Sequence, residues 1–266
     1  MSGFCEWPLV LMVLGGVDAG EIMARVAANQ DRAAAARSRY VYSQKVRARM
    51  IRTNGKLARE EFRTYTVTPA AAGKSEKKLA EFRGTYESKG KLHEYQEPGF
   101  EHKDLDLDAD VIDTLTTDLV NDGKSRDGIS ANVFPLTSEE QRKYEFQYLG
   151  EVVQQSRKAH RIEFRPKKGQ EAAWKGEAVI DAEEYEPVTV FSKFAVKIPW
   201  GVKAFLGSDV KQLGFAVTYQ RVAPGVWFPV GYGTEFRLDI LWGYKRNITL
   251  NLTSGEFREG KAESEI

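Results

Sequence analysis

From Tyr40 onward the chain alternates apolar and polar residues over long stretches. Trp174, Gly176, Ala178 and Ile180 stand against Lys175, Glu177 and Asp181. Tyr232, Thr234, Phe236, Leu238, Ile240, Trp242 and Tyr244 stand against Glu235, Arg237, Asp239 and Lys245. A period of two puts alternate side chains on opposite faces of a pleated strand, so such segments predict strands with one apolar face. In the first of them Tyr42, Gln44, Val46, Ala48 and Met50 share one face and Lys45, Arg47 and Arg49 the other. Further strands are expected at 57–69, 78–88, 92–96, 143–154, 159–165, 173–181, 187–197, 214–221, 226–241 and 244–254. Asn54-Gly55, between the first two, is a strong hairpin signal.

The period changes in two places. Residues 21–39 read as a helix, with Ile22, Met23, Val26 and Ala27 on its apolar face and the alanines of 33–36 adding intrinsic propensity. From Asp108, Val111, Ile112, Leu115 and Leu119 recur at helical spacing, with Asp108 as the expected N-cap and Asp110 in the first turn. Ser138-Glu139-Glu140 suggests a further helical turn. Val202, Phe205 and Leu206 suit a short helix within the insert 199–212. The fold class expected is α+β, mostly β: a single antiparallel sheet whose apolar face must be covered by a few helices or by something else.

At 266 residues, with no long linker and no internal repeat, the chain fits one β-rich domain, 20–266, behind an N-terminal segment. Charged residues at 29%, hydrophobic residues at 42% and a formal charge of +1 give no electrostatic reason to expect a nucleic acid. The charged residues of the strands read as a solvated outer face. Residues 7–16 form an apolar run too short to span a bilayer, which takes roughly 20 residues. Val17-Asp18-Ala19 then places small residues where a signal peptidase reads, so residues 1–19 are expected to be a secretory signal and the protein periplasmic or secreted. The segment ahead of the run has no basic residue and carries Glu6, which leaves a buried N-terminal strand as the alternative. Cys5, the single cysteine, precedes the run, so the exported part has no disulfide and no thiolate chemistry.

Motifs for catalysis or metal binding are weak. Gly73-Lys74-Ser75 and Gly123-Lys124-Ser125 imitate the end of a phosphate loop, but its first glycine would have to stand at Thr68 or Asp118. The run from Asp104 to Asp110 resembles the opening of a calcium loop. It has Ala109 where glycine is needed and Leu115 where a bidentate glutamate is needed, which leaves at most a weak cation site. His93, His102 and His160 are far apart in sequence, with no ligand spacing. Asn247-Ile248-Thr249 and Asn251-Leu252-Thr253 fit glycosylation sequons but read as polar-face positions of a strand. No cofactor, no metal and no catalytic residue is expected, and an enzyme built on loop carboxylates has only residue abundance behind it.

The aromatics carry more. Trp174, Phe194, Phe215, Trp227, Phe236 and Trp242 fall on expected strands, mostly on apolar faces. Such a stripe is either plain core or the wall of a ligand cavity. The order of elements, with Trp174-x-Gly176-x-x-x-Ile180-Asp181-x-x-x-x-x-Pro187 and Gly225-Val226-Trp227-Phe228-Pro229, resembles the exported outer-membrane lipoprotein-sorting and lipoprotein-carrier-like proteins. The resemblance implies a curved, incomplete antiparallel barrel with helices in its mouth and an apolar cavity for a lipid or lipoprotein acyl chain. The cavity candidates are Trp174, Phe194, Trp227, Phe236 and Trp242 on the sheet, with Val111, Ile112, Leu115 and Leu119 of the middle helix packed across them. A non-catalytic binder of an apolar ligand is the function expected. The alternative is an envelope scaffold or sensor that binds another protein through its sheet.

Overall fold

Alternation along the chain is realised as eleven strands in the computed structural model, which describes residues 18–69, 75–121, 136–169, 174–194, 214–240 and 243–260. The strands are β1 (Tyr40–Arg52), β2 (Leu57–Pro69), β3 (Ser75–Ser88), β4 (Lys91–Tyr95), β5 (Tyr144–Gln154), β6 (Arg157–Pro166), β7 (Trp174–Asp181), β8 (Pro187–Phe194), β9 (Gly214–Ala223), β10 (Val226–Ile240) and β11 (Tyr244–Glu259). They form one antiparallel sheet in the order β4-β3-β2-β1-β11-β10-β9-β8-β7-β6-β5. The last strand returns between β1 and β10, so the first and last strands pair within the sheet. β4 and β5 are its two edges, and the barrel stays open, as the sequence led us to expect.

Three helices are described: α1 (Ala19–Arg37), α2 (Leu107–Asn121) and α3 (Ser138–Gln141). Asp18 starts α1 by accepting from Gly20 N at 2.8 Å, two residues before the expected helix. The expected cap of α2 needs correction. Asp106, not Asp108, accepts from the backbone of Ala109 and Asp110. Asp108 instead takes Arg246 Nε at 2.7 Å, Arg246 Nη2 at 2.9 Å and the Tyr244 hydroxyl at 2.6 Å, tying the start of α2 to β11. At Asn54-Gly55 the hairpin forms, with Gly55 at φ 80° and Gly55 N bonded to Arg52 O. That is a turn ending in a left-handed residue, a conformation glycine adopts without Cβ strain.

Register places one row of side chains straight across ten strands. It runs Phe82, Arg63, Val46, Leu252, Tyr232, Val217, Val190, Ala178, Ile162 and Tyr148, from β3 to β5. This is the helix-covered face. α1 lies over β5 to β10, and α2 over β1 and β2. The other face carries the polar residues, Asn247 and Asn251 among them, both exposed. Asp181, read as a polar-face residue, is fully buried at the end of β7, where Arg157 and the backbone of Glu183 and Glu184 satisfy it.

The expected signal up to Val17, Gly73-Lys74, the loop 122–128, the insert 199–212 and Trp242 lie outside the described residues. Among those described, no helix is long and apolar enough to cross a membrane.

Candidate ligand-binding face

The α1 half of the covered face is apolar. Ile22, Met23 and Val26 of α1 pack on Ile162, Phe164, Ala178, Ile180, Val190, Phe215, Val217 and Trp227, all at most 5% exposed. Polar groups fix the rim. Asn29 Nδ2 donates to Glu184 O at 2.6 Å, Gln30 Nε2 to Glu186 Oε2 at 2.6 Å, and Trp227 Nε1 to Glu184 Oε2 at 2.9 Å. Glu186 is 5% exposed. Burial pushes its carboxyl up to about 7, with Glu184 adding to the rise and Arg37, Gln30 and Arg32 opposing it. It lines an open pocket of about 320 Å³ between α1 and the turns that hold Glu184 and Gly225.

The α2 half is built differently. Ile112 packs on Val46, Ala48, Met50, Leu238, Ile248, Leu250 and Leu252, and the face then turns charged on β2. Arg59, Glu61 and Arg63 alternate with Glu60 and Phe62, and their cross-strand partners Met50, Ala48 and Val46 are core residues. They are at most 4% exposed. Reading the strand charges as a solvated face was wrong here; the same alternation that buries Val67 buries these three.

The buried charges satisfy one another. Arg59 Nε donates to the Tyr95 hydroxyl at 2.7 Å, Arg59 Nη1 to Asp106 Oδ2 at 3.0 Å, and Arg59 Nη2 to Phe100 O. The Tyr95 hydroxyl in turn donates to Glu61 Oε1 at 2.6 Å. Burial and the Glu61 charge push that phenol well above its ordinary range. Its ring lies flat on Gly84, where a Cβ would come within 2.4 Å of three ring carbons, so only glycine fits opposite it. Burial works against the Asp106 carboxylate, but His102 and Arg59 outweigh it and hold the group below the usual range.

Two histidines that look unrelated in sequence meet here. His93 and His102 both stack on Tyr86, with centroids at 5.2 and 4.6 Å, and His102 Nδ1 lies 2.5 Å from Asp106 Oδ2. Within the calcium-like run, Asp106 and Asp108 are thus ion-pair and capping partners. Among the described residues, no group of three or more His, Cys, Asp and Glu is placed to hold a metal ion.

The cavity candidates divide between the halves. Trp227 is buried and Trp174 half-buried in the α1 cluster, with Trp174 edge-on to Phe215 at 4.7 Å. Phe236, Val111 and Leu115 are half-buried against the α2 cluster. The residue common to both is Tyr232, which packs on each cluster and whose phenol burial pushes up to about 12. Sequence reasoning had not singled it out, although its strand alternation placed it on this face. The backbones of Phe194 and Leu119 belong to β8 and α2; their side chains lie outside the described residues.

No family model matches the sequence, and no curated protein matches it. Solved structures similar to the chain at low identity include the following three. A DUF1329 family protein from Desulfovibrio piger shares 11% identity over 92% of this chain and 95% of its own, with a TM-score of 0.39. A putative outer membrane lipoprotein-sorting protein domain from Vibrio parahaemolyticus shares 10% over 93% and 96%, with a TM-score of 0.40. A LolA superfamily protein from Nitrosomonas europaea shares 9% over 92% and 94%, with a TM-score of 0.34.

Proposed function

We propose that this chain is a non-catalytic, exported binding protein for an apolar ligand, a lipid or a lipoprotein acyl chain. The ligand would lie on the covered face where the α1 and α2 halves meet. One observation carries the reading: Trp174 beside the α1 cluster, Phe236, Val111 and Leu115 beside the α2 cluster, and Tyr232 shared by both are apolar side chains on this face that remain half-buried. Apolar walls of this kind, with few polar groups, are what binding sites for apolar ligands use. Trp227 and Ile112, fully buried, serve as the packed floor behind them. Native mass spectrometry of protein purified from bacterial envelopes tests it: a co-purifying lipid is expected. Bare protein that also fails to bind a fluorescent fatty acid would sink the reading.

A second reading rests on the opposite face. Phe191 is 47% exposed there. It stands at a groove of about 390 Å³ floored by Gly214, Ala216 and Gly233 and walled by Thr249 and Asn251. An exposed aromatic beside a trench suits an envelope protein partner. Cross-linking from position 191 in envelope extract that captures no protein would remove this alternative.

A further inference from the structure

Arg63 is where the apolar row across the sheet turns charged: its cross-strand neighbours are Val46 on one side and Phe82 on the other. The side chain is 4% exposed, and its guanidinium has two carboxylate acceptors of different standing, with the Tyr65 hydroxyl as a further partner. Glu61 Oε2 takes Nε at 2.9 Å and Nη2 at 2.6 Å; Glu61 is 1% exposed and is also held by Tyr95. Asp113 Oδ1 takes Nη2 at 2.8 Å, but Asp113 belongs to α2 and its side chain is 42% exposed. A buried cation is thus completed by a carboxylate that water already reaches. Burial works against the Arg63 charge, yet Glu61 and Asp113 outweigh it and keep the guanidinium protonated. Removing Asp113 from this position returns it to water at little expense, whereas Arg63 left with an open donor would be costly. An incoming anion can therefore replace Asp113 without leaving Arg63 short of a partner. Tyr65, two residues along the same strand face, and Leu115 of α2 are both half-buried and pack their apolar parts on the adjoining cluster.

Resting on the apolar-ligand reading above, we propose that the ligand is an amphiphile with an anionic head group, a carboxylate or phosphate. Its oxygens take the place of Asp113 on Arg63 while its alkyl chain enters between Tyr65 and Leu115. Arg suits either head, because its planar fork presents parallel N–H groups to two oxygens.

Four probes of equal chain length test this by titration below their critical micelle concentrations: dodecanoate, dodecyl phosphate, dodecanol and dodecyltrimethylammonium. The anionic pair is expected to bind roughly 10- to 100-fold more tightly than dodecanol, the gain of a hydrogen bond to a charged group, and the cation more weakly than dodecanol. The ratio of dodecanoate to dodecyl phosphate then separates a fatty-acid head from a phospholipid-like one. Asp113→Asn removes the competing charge, so it should tighten both anionic probes several-fold and leave dodecanol unchanged. A merely structural Asp113 would not do this. Arg63→Met should erase the preference for anions while dodecanol still binds. Equal binding of dodecanoate and dodecanol overturns the head-group assignment and leaves the apolar-ligand reading standing. Binding of none of the four overturns both. If Arg63→Met does not fold, Asp113→Asn still decides: unchanged or weaker dodecanoate binding overturns the proposal.

Discussion

The two helices close one sheet face by different chemistry. α1 closes its half with Ile22, Met23 and Val26 against an apolar bed, and confines polar contacts to the rim at Asn29, Gln30 and Glu186. α2 closes its half with Ile112 on a smaller apolar bed, and extends it over a buried network of Arg59, Glu61, Arg63, Tyr95 and Asp106. Apolar packing is non-directional and tolerates substitution of similar volume. A buried ion network contributes little net stability while complete, but fixes geometry strictly and fails when one member is lost. The α1 half is thus the more tolerant of exchange, and the α2 half the more specific about what sits on it.

The largest effect expected is at the network. Arg59→Met takes the guanidinium from buried Asp106 and the donors from the Tyr95 hydroxyl and Phe100 O, and should cost about 3–5 kcal/mol in urea unfolding. A loss no larger than that of a surface substitution would show that the α2 half is not held by its charges. Next come matched truncations, Met23→Ala under α1 and Ile112→Ala under α2. Each should cost about 2–5 kcal/mol, because both side chains are at most 1% exposed. A large inequality between them would show that one helix is docked far more loosely than the other.

The pH response separates the halves further. The folded carboxyl of Glu186 is raised to about 7 from an ordinary 4.5. Its contribution is therefore fully present below the ordinary value and lost as pH rises through about 7, on the order of 3 kcal/mol in all. Asp106 in the α2 half and Asp181 beside α1 are both held low, so their contributions are present at neutral pH and lost in acid. Hydrogen exchange should show the seat of α1 alone loosening between pH 5 and roughly 8. Glu186→Gln should abolish that trend; if it persists, another group is responsible.

Leu115→Ala should cost less than Ile112→Ala, below about 2 kcal/mol, because Leu115 is only half-buried. It should also speed release of a bound fluorescent fatty acid, which stopped-flow displacement would measure. The smallest effect is expected outside both halves. Arg161 and Glu177 pair at 2.7 Å on the polar face with side chains 41% and 33% exposed, and Arg161→Ala should shift stability by less than about 1 kcal/mol.

Most of the fold was legible because strand alternation and helix periodicity are local signals. Val46, Ala48 and Met50 declared their face within a few residues, and the strand boundaries at Leu57, Pro187 and Tyr244 were found where turn residues and apolar runs placed them. The site was legible only in part. Trp174, Trp227, Phe236, Val111 and Leu115 do lie on the covered face, but periodicity does not say which helix covers which strand. Arg59, Glu61 and Arg63 were misread because charge suggests solvent, and only their partners from α2 and β4 make burial tolerable. The signal was their parity with Val67 and their place opposite Ala48 and Met50.

The sequence by itself determined the strands, the three described helices, the apolar face and the absence of a recognisable catalytic motif, since each depends on residues a few positions apart. Tertiary structure decided what is non-local. It placed β11 between β1 and β10, gathered His93 and His102 on Tyr86, bound Asp106 to Arg59, and set Asp113 against Arg63 across fifty positions of chain. These pairings follow from how a twisted sheet and two helices share space, and no short window of sequence contains both partners.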